Sequence, residues 1–363
     1  MKQTQAVQCV VRLLVFVLLS GPAVLPARAA FSSLYVFGDG VCSTTDNPQG
    51  GSLYYPYTYS NGRVWVQVLA QRQGLTYDAS KNKSYFGHYS SFLAADVSQF
   101  SAADATNSLF VVWVNDADVV WDMLYIYPSL DLATWNNAIN NSLANQSQAI
   151  AALYAKGARA LVMPNAVDIT KVPYYSGIAS SPADKAFIRQ RVVDFNASFA
   201  TMLNQARASL PGVKIYAPDM FALFDNLLAN AGSYGLANPG IDALEDPNLT
   251  DYSLNGPGAY YVFWDYQDPT AKVHEVMADT AQQLVSPVKI SSITSLNGSN
   301  RLDLANVPIG LNGFVDGRTN LVLGSWTQLI NFNGTSATQS VFVPASGPQR
   351  FYRLRFPFAW SWP

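Results

Sequence analysis

Short apolar runs alternate with longer amphipathic stretches between residues 31 and 286. Residues 109–114 and 158–164 form two of the apolar runs, and runs of this kind are typical of strands buried on both faces of a sheet. The stretch 185–210 has the period of a long helix, and a Pro-Gly pair ends it before the next apolar run at 213–216. The alternation predicts βα units around a parallel sheet, which is an α/β sandwich.

The pattern changes after residue 286, where turns rich in Ser, Asn and Gly separate short runs. The runs at 320–323, 327–330 and 340–343 predict strands, and no stretch of helical length follows them. We therefore expect a small C-terminal all-β sandwich module over residues 287–363. Its aromatic end, residues 356–362, is either part of the core of that module or a patch that docks on a sugar or another surface.

The first residues have the organisation of a secretory signal peptide. Basic residues precede an apolar run at 13–19, and Ala-Arg-Ala at 27–29 fits a small-x-small cleavage site. The apolar run is well short of the ~20 residues that span a bilayer, so we expect no transmembrane span after cleavage. The pattern predicts a signal peptide over residues 1–29 and a secreted, periplasmic or cell-surface protein.

The composition narrows the class of protein. The chain has 363 residues, of which 49% are hydrophobic and 13% are charged, and its formal net charge is -2. This length favours one large domain, residues 30–286, beside the small module, and the charge balance gives no basic surface for nucleic acid. Cleavage would remove Cys9 and leave Cys42 as the only cysteine, so no internal disulfide is expected. The sequence leaves the oligomeric state open.

Residues that could perform chemistry fall in four short motifs of the large domain. Each motif follows or precedes an apolar run and therefore lies close to the end of a predicted strand or helix. They are Gly-Asp-Gly at 38–40, Ser-Asn-Gly-Arg at 60–63, Trp-Val-Asn-Asp at 113–116 and Asp-Tyr-Gln-Asp-Pro-Thr at 265–270. In order and spacing they resemble the motifs of the GDSL (SGNH) ester hydrolases, over roughly residues 33–285.

The resemblance implies a fold and an activity. The fold is a flavodoxin-like three-layer sandwich with a parallel central sheet. The activity is hydrolysis of ester bonds in lipids or acylated carbohydrates, and the ligand is accordingly a small-molecule ester, a lipid or a carbohydrate. The family's chemistry uses side chains and no cofactor, so none is expected.

The resemblance also implies roles for individual residues. In the family the first motif reads Gly-Asp-Ser, which supplies the nucleophile, and the last reads Asp-x-x-His-Pro-Thr, which supplies the base. Here Gly40 stands at the nucleophile position and Asp268 at the base position, while Asp265 keeps the place of the third catalytic residue. Backbone or amide N–H groups of Gly40, Gly62 and Asn115 would form the oxyanion hole. These substitutions predict a binding pseudoenzyme.

The alternative is a working esterase, lipase or acylhydrolase with a displaced nucleophile and base. Ser43 and Cys42 lie just after the first motif and are the candidate nucleophiles. His88 and His274 are the only imidazoles of the chain, so a rebuilt catalytic dyad needs one of these two as its base.

Two further interpretations concern the carboxylates. Asp39, Asp265 and Asp268 would form a cluster without a cation, which could hold a divalent metal ion or accept hydrogen bonds from the hydroxyls of a sugar. Asp268 also stands directly before Pro269, which is the pattern of an N-cap followed by Pro at the first helical position.

Overall fold

The structure is a computed structural model. It describes residues 31–47, 53–179, 181–321, 324–345, 350–356 and 361–362. The predicted signal peptide, residues 1–29, lies outside the described residues, and so does most of the aromatic C-terminal end. Among the described residues, no helix is both long and apolar enough to cross a membrane.

The large domain is built on a four-stranded parallel sheet. Its strands follow one another in the order of the chain, and β1, β2 and β3 are buried along their whole length. In the register of the sheet, Leu34 lies opposite Leu109, which in turn lies opposite Ala160. The strands are β1 (Leu34–Gly38), β2 (Leu109–Trp113), β3 (Ala160–Val162) and β4 (Lys214–Tyr216).

Among the residues that the structure describes, eight α-helices flank this sheet. Helix α1 packs against α8, and α4 packs against both α2 and α6. The described helices are α1 (Trp65–Arg72), α2 (Ser90–Gln99), α3 (Asn115–Tyr125), α4 (Leu132–Ala155), α5 (Pro173–Ile178), α6 (Pro182–Ser209), α7 (Met220–Ala229) and α8 (Ala271–Val285). The parallel sheet between helices confirms the predicted α/β sandwich.

The core between the sheet and the helices is rich in large side chains. Phe37, Trp65, Phe110, Trp113 and Leu109 are all at most 1% exposed. Burial of such side chains stabilises the fold by about 1.5–3 kcal/mol each. The predicted helix over 185–210 begins three residues earlier, since the hydroxyl of its N-cap residue accepts the N–H of a residue in the first turn.

The C-terminal region is all-β, as predicted. One antiparallel sheet has the order β11-β10-β7-β8 and the other has the order β5-β6-β9, and both contribute to a separate hydrophobic core. The strands are β5 (Lys289–Leu296), β6 (Ser299–Ala305), β7 (Asn312–Arg318), β8 (Thr327–Asn333), β9 (Thr338–Pro344), β10 (Phe351–Arg355) and β11 (Ser361–Trp362). The strand predicted at 320–323 is wrong for Asn320 and Leu321, which lie in the loop after β7; residues 322–323 lie outside the described residues.

A buried arginine joins the two regions. Arg72, at the end of α1, donates from Nε to Asp279 Oδ1 of α8 across 2.7 Å and from a terminal nitrogen to the carbonyl of Ile309 across 3.1 Å. Arg72 is 4% exposed and Asp279 is 2% exposed. This contact fixes α1 and α8 relative to each other and to the loop between β6 and β7.

Candidate active site

A cavity of about 380 Å³ lies at the carboxyl ends of β1 and β2. This is the edge at which open parallel sheets bind their ligands. Among the described residues, eight aromatic side chains line it, and so do Asp39, Gly40, Asp116 and Asp268. The first and last sequence motifs therefore meet at one cavity, although more than 220 positions separate them in the chain.

Gly40 occupies the turn that follows β1. Asp39 is the N-cap of a single 3₁₀ turn, Gly40–Cys42, and its carboxylate accepts the N–H of Val41 across 3.2 Å. A Cβ atom built on Gly40 would lie 3.1 Å from Cδ2 of Phe86, another residue of the cavity wall. A small shift of that ring would admit a serine side chain. The position that the family uses for its nucleophile thus faces the cavity and carries no hydroxyl.

Asp268 occupies the other side of the cavity. Its carboxyl group is 8% exposed and makes no hydrogen bond within the described part of the chain. Burial raises the pKa of Asp268 well above its ordinary value, and the nearby Asp265 and Asp39 raise it further. These effects disfavour the charged form of Asp268 unless a cation lies beside it.

Asp265 lies behind Asp268 and away from the cavity lining. Its Oδ1 atom accepts the backbone N–H groups of Gln267 at 2.9 Å and Asp268 at 2.7 Å, and its Oδ2 atom accepts the hydroxyl of Tyr54 at 2.9 Å. Asp265 therefore orders the turn that presents Asp268. The N-cap interpretation of Asp268 is wrong, because α8 begins after Thr270 and the backbone N–H of Ala271 donates to Asn61.

The structure does not bring Asn115 to the cavity. Helix α3 starts at Asn115 itself, directly after β2, and this turns the side chain toward the carbonyl of Pro164, to which Nδ2 donates across 2.7 Å. At the start of α3, Asp116 and Ala117 line the cavity. The role of Asn115 in an oxyanion hole stays a prediction, and Ala117, which lines the cavity, has no side-chain amide.

Gly62 is also absent from the cavity lining. A Cβ atom built on Gly62 would lie only 2.6 Å from the Cβ of Ala271, the first residue of α8. Position 62 must be a glycine to allow this close approach between the start of α8 and the segment before α1. Of the three predicted oxyanion donors, only Gly40 lies on the cavity.

Neither substitute nucleophile lines the cavity. Ser43 is fully buried, and its hydroxyl has no partner among the described residues. Cys42 is fully buried too, and its Sγ atom accepts the indole N–H of Trp65 across 3.3 Å. Burial raises the pKa of the Cys42 thiol well above its ordinary value, so it stays protonated. The fold therefore uses both residues in packing.

Neither histidine lines the cavity, although His88 directly follows Gly87, which does. His88 is fully buried, with Nδ1 at 3.0 Å from the carbonyl of Gly38 and Nε2 at 2.9 Å from Asp96 Oδ2. His274 accepts the backbone N–H of Trp65, the first residue of α1, across 3.2 Å. Burial lowers the pKa of His274 to about 3, so this imidazole is a neutral helix cap. None of the four residues predicted for a rebuilt dyad is among those that line the cavity.

The predicted metal cluster is not formed either. Within the described residues, no three His, Cys, Asp or Glu side chains come together in a way that could hold a metal ion. Asp265 is occupied by its own turn, which separates it from Asp39. The carboxyl groups on the cavity are instead Asp39, Asp116 and Asp268.

Asp116 lines the cavity, although no role was predicted for it from the sequence. Its Oδ1 atom accepts the backbone N–H of Val167 across 2.8 Å, and burial raises its pKa to about 7. Burial likewise raises the pKa of Asp39, and the charge of Asp116 adds to that effect. The signal that could have found Asp116 is its position at the carboxyl end of β2, beside the end of β1.

A family model for the GDSL-like lipase/acylhydrolases matches residues 34–281. The chain therefore belongs to the GDSL-like lipase/acylhydrolase family. Two GDSL esterase/lipases of Arabidopsis thaliana are similar to it: one is 25% identical over 211 residues, and the other, EXL3, is 26% identical over 243 residues. These alignments cover 54% and 63% of this chain and 54% and 62% of the relatives, so the chain spans less than two thirds of their length.

Solved structures of hydrolases are also similar to the chain. The lipase Lip_vut3 from a goat rumen metagenome has a TM-score of 0.42 at 13% identity, over 70% of this chain and 97% of that one. An acetylxylan esterase from Geobacillus stearothermophilus, Axe2, has a TM-score of 0.41 at 12% identity, over 71% of this chain and 96% of that one.

Proposed function

We propose that this protein is a ligand-binding member of the GDSL family that does not hydrolyse esters by the family's route. The observation that carries the proposal is that Gly40 and Asp268 face the cavity at the two positions that should supply the nucleophile and the base. The cavity itself remains, with its aromatic wall and its place at the end of the sheet.

The chemistry of ester hydrolysis explains why the remaining groups are insufficient. The reaction needs a nucleophile, a base within hydrogen-bond reach and donors aimed at the oxyanion. The cavity offers the backbone N–H of Gly40, while the side chain at Ala117 has no donor and position 268 carries a carboxyl group in place of an imidazole base. Loss of the catalytic residues of a serine hydrolase costs about 10⁶ in kcat, which would reduce a typical ~10 s⁻¹ enzyme to about 10⁻⁵ s⁻¹.

The ligand is a small molecule of the size of the cavity, because about 380 Å³ lies within the range of sites for small ligands. The esterase/lipase relatives support an ester, a lipid or an acylated carbohydrate as its general type. We also propose that the protein is exported through a signal peptide over residues 1–29. Mass spectrometry of the protein recovered from the culture medium would show a chain beginning after residue 29, and an intact chain retained in the cell would contradict export.

Labelling with a fluorophosphonate probe tests the loss of catalysis. These probes react with activated serines, so the natural protein should remain unlabelled, and a Gly40→Ser, Asp268→His variant should be labelled at position 40. The matched control is Ser43→Ala, made in the natural protein and in this variant. It should change the labelling of neither, since Ser43 does not line the cavity. Labelling of the natural protein at any serine would contradict the proposal.

A further inference from the structure

The charge of the cavity lining is of one sign. Asp39, Asp116 and Asp268 all contribute to it, and among the described residues that line it there is no Lys, Arg or His. An anion beside these carboxyl groups would be repelled by each one that is charged, and the low local dielectric strengthens that repulsion. Anionic ligands are therefore disfavoured.

Asp268 marks the point at which a ligand group would lie. Its side chain is 8% exposed, lines the cavity and makes no hydrogen bond within the described part of the chain. Buried polar groups in proteins almost always have a partner. Asp39 and Asp116, by contrast, each accept backbone N–H groups. A ligand group in the cavity is therefore in a position to pair with Asp268, and a cation there would also favour the charged form of its carboxyl group.

The same cavity has an aromatic wall. Trp113 and Phe263 are buried in it, while Tyr174 and Tyr266 are 46% and 40% exposed and pack edge to face with their ring centroids 5.4 Å apart. The negative face of an aromatic ring attracts a cation, and it does so best for weakly hydrated cations with apolar substituents. A bare metal ion would need three or more ligating side chains together, which the described residues do not provide.

We propose that the cavity binds an organic cation, namely an alkylated amine or quaternary ammonium group that lies against Asp268 while its apolar arm packs on the aromatic wall. The inference rests on the proposed function and names the chemical class of the ligand. The charge of the ligand would replace the missing partner of Asp268, and the ring faces would take the place of water around the methyl groups.

A pair of probes that differ only in charge tests this directly. The probes are (4-hydroxybutyl)trimethylammonium and its carbon isostere 5,5-dimethylhexan-1-ol, and calorimetry on the full-length protein at pH 8 measures both affinities. We expect the cation to bind about tenfold or more tightly than the isostere, from its contacts with the rings and the carboxylate. Equal affinity would overturn the proposal and assign the cavity to an uncharged ligand, and so would the absence of binding by the cation.

Two variants test whether Asp268 causes the preference for the cation. Asp268→Asn keeps the shape of the side chain and removes its charge, so it should reduce the preference for the cation at least fivefold. Asp251→Asn is the matched control, because Asp251 is an exposed carboxylate outside the cavity, and it should leave the preference unchanged. A preference that survives in Asp268→Asn would contradict the proposal. Neither probe is an ester, so these results are independent of whether the natural protein hydrolyses esters.

Discussion

Asp265 Oδ1 lies 2.7 Å from the backbone nitrogen of Asp268 and accepts its N–H. The same oxygen accepts the N–H of Gln267, so one carboxylate organises the whole turn before α8. This interaction does not depend on the side chain at position 268. The chain can therefore replace the base of a hydrolase by an acid and still present residue 268 to the cavity.

The buried acids of the cavity predict that the protein loses stability as the pH rises. The pKa of Asp116 is about 7 in the folded protein and 3.8 ordinarily, so its contribution is fully present below about pH 4 and is lost as the pH rises through 7. Between pH 5 and pH 8 this one group should lower the free energy of unfolding by about 2 kcal/mol.

Asp116→Asn should remove the part of the pH dependence that arises from Asp116, because an amide does not titrate. The amide oxygen can still accept the N–H of Val167, so the hydrogen bond is kept. Urea unfolding at pH 5 and pH 8 measures it, with the exposed Asp251→Asn as a control that keeps the natural dependence. If Asp116→Asn had the same pH dependence as the natural protein, the assignment of this titration to Asp116 would be wrong.

The close contact of Gly62 with Ala271 predicts a structural cost for a side chain at position 62. Gly62→Ala would place two Cβ atoms about 2.6 Å apart and should destabilise the protein by about 1–3 kcal/mol. Gly177→Ala is the matched control, because no atom lies within 4 Å of the added methyl group there. Thermal or urea unfolding distinguishes the two variants, and equal stabilities would show that the segment before α1 tolerates the displacement.

The Arg72–Asp279 pair predicts strong coupling between α1 and α8. Arg72→Met would leave Asp279 buried without its cation and should cost about 3–5 kcal/mol. The double variant Arg72→Met, Asp279→Leu should recover most of this loss, because no charge then remains buried. A double-mutant cycle by urea unfolding gives the coupling energy, and a double variant as unstable as Arg72→Met alone would argue against the pair.

The sequence predicted the fold well because its signals are local. The buried strands β1 and β2 are apolar runs, and α6 has a clear helical period, so each is recognisable without its neighbours. The directions in which side chains point are harder to predict from the sequence. Asn115 follows a strand and still points away from the cavity, because α3 begins at that residue and turns it toward Pro164.

Contacts between distant segments also determine what two of the candidate site residues do in the fold. His274 caps α1 and Gly62 packs on Ala271, and each contact joins residues 209 positions apart in the chain. No pattern within a single segment signals such a contact. The first and last motifs correctly marked two segments that meet at the carboxyl edge of the sheet. Which residues of a motif face the cavity depends on where the following helix begins, and the sequence does not show this.

The turnover of a short-chain p-nitrophenyl ester tests most directly whether the cavity lacks the groups for ester hydrolysis. The natural protein should turn over at about 10⁻⁵ s⁻¹ or less. A variant carrying Gly40→Ser, Ala117→Asn and Asp268→His should be at least a hundredfold faster, because it regains nucleophile, amide donor and base on the same cavity. Turnover by the natural protein at about 0.1 s⁻¹ or more would contradict the account and require a nucleophile elsewhere in the chain.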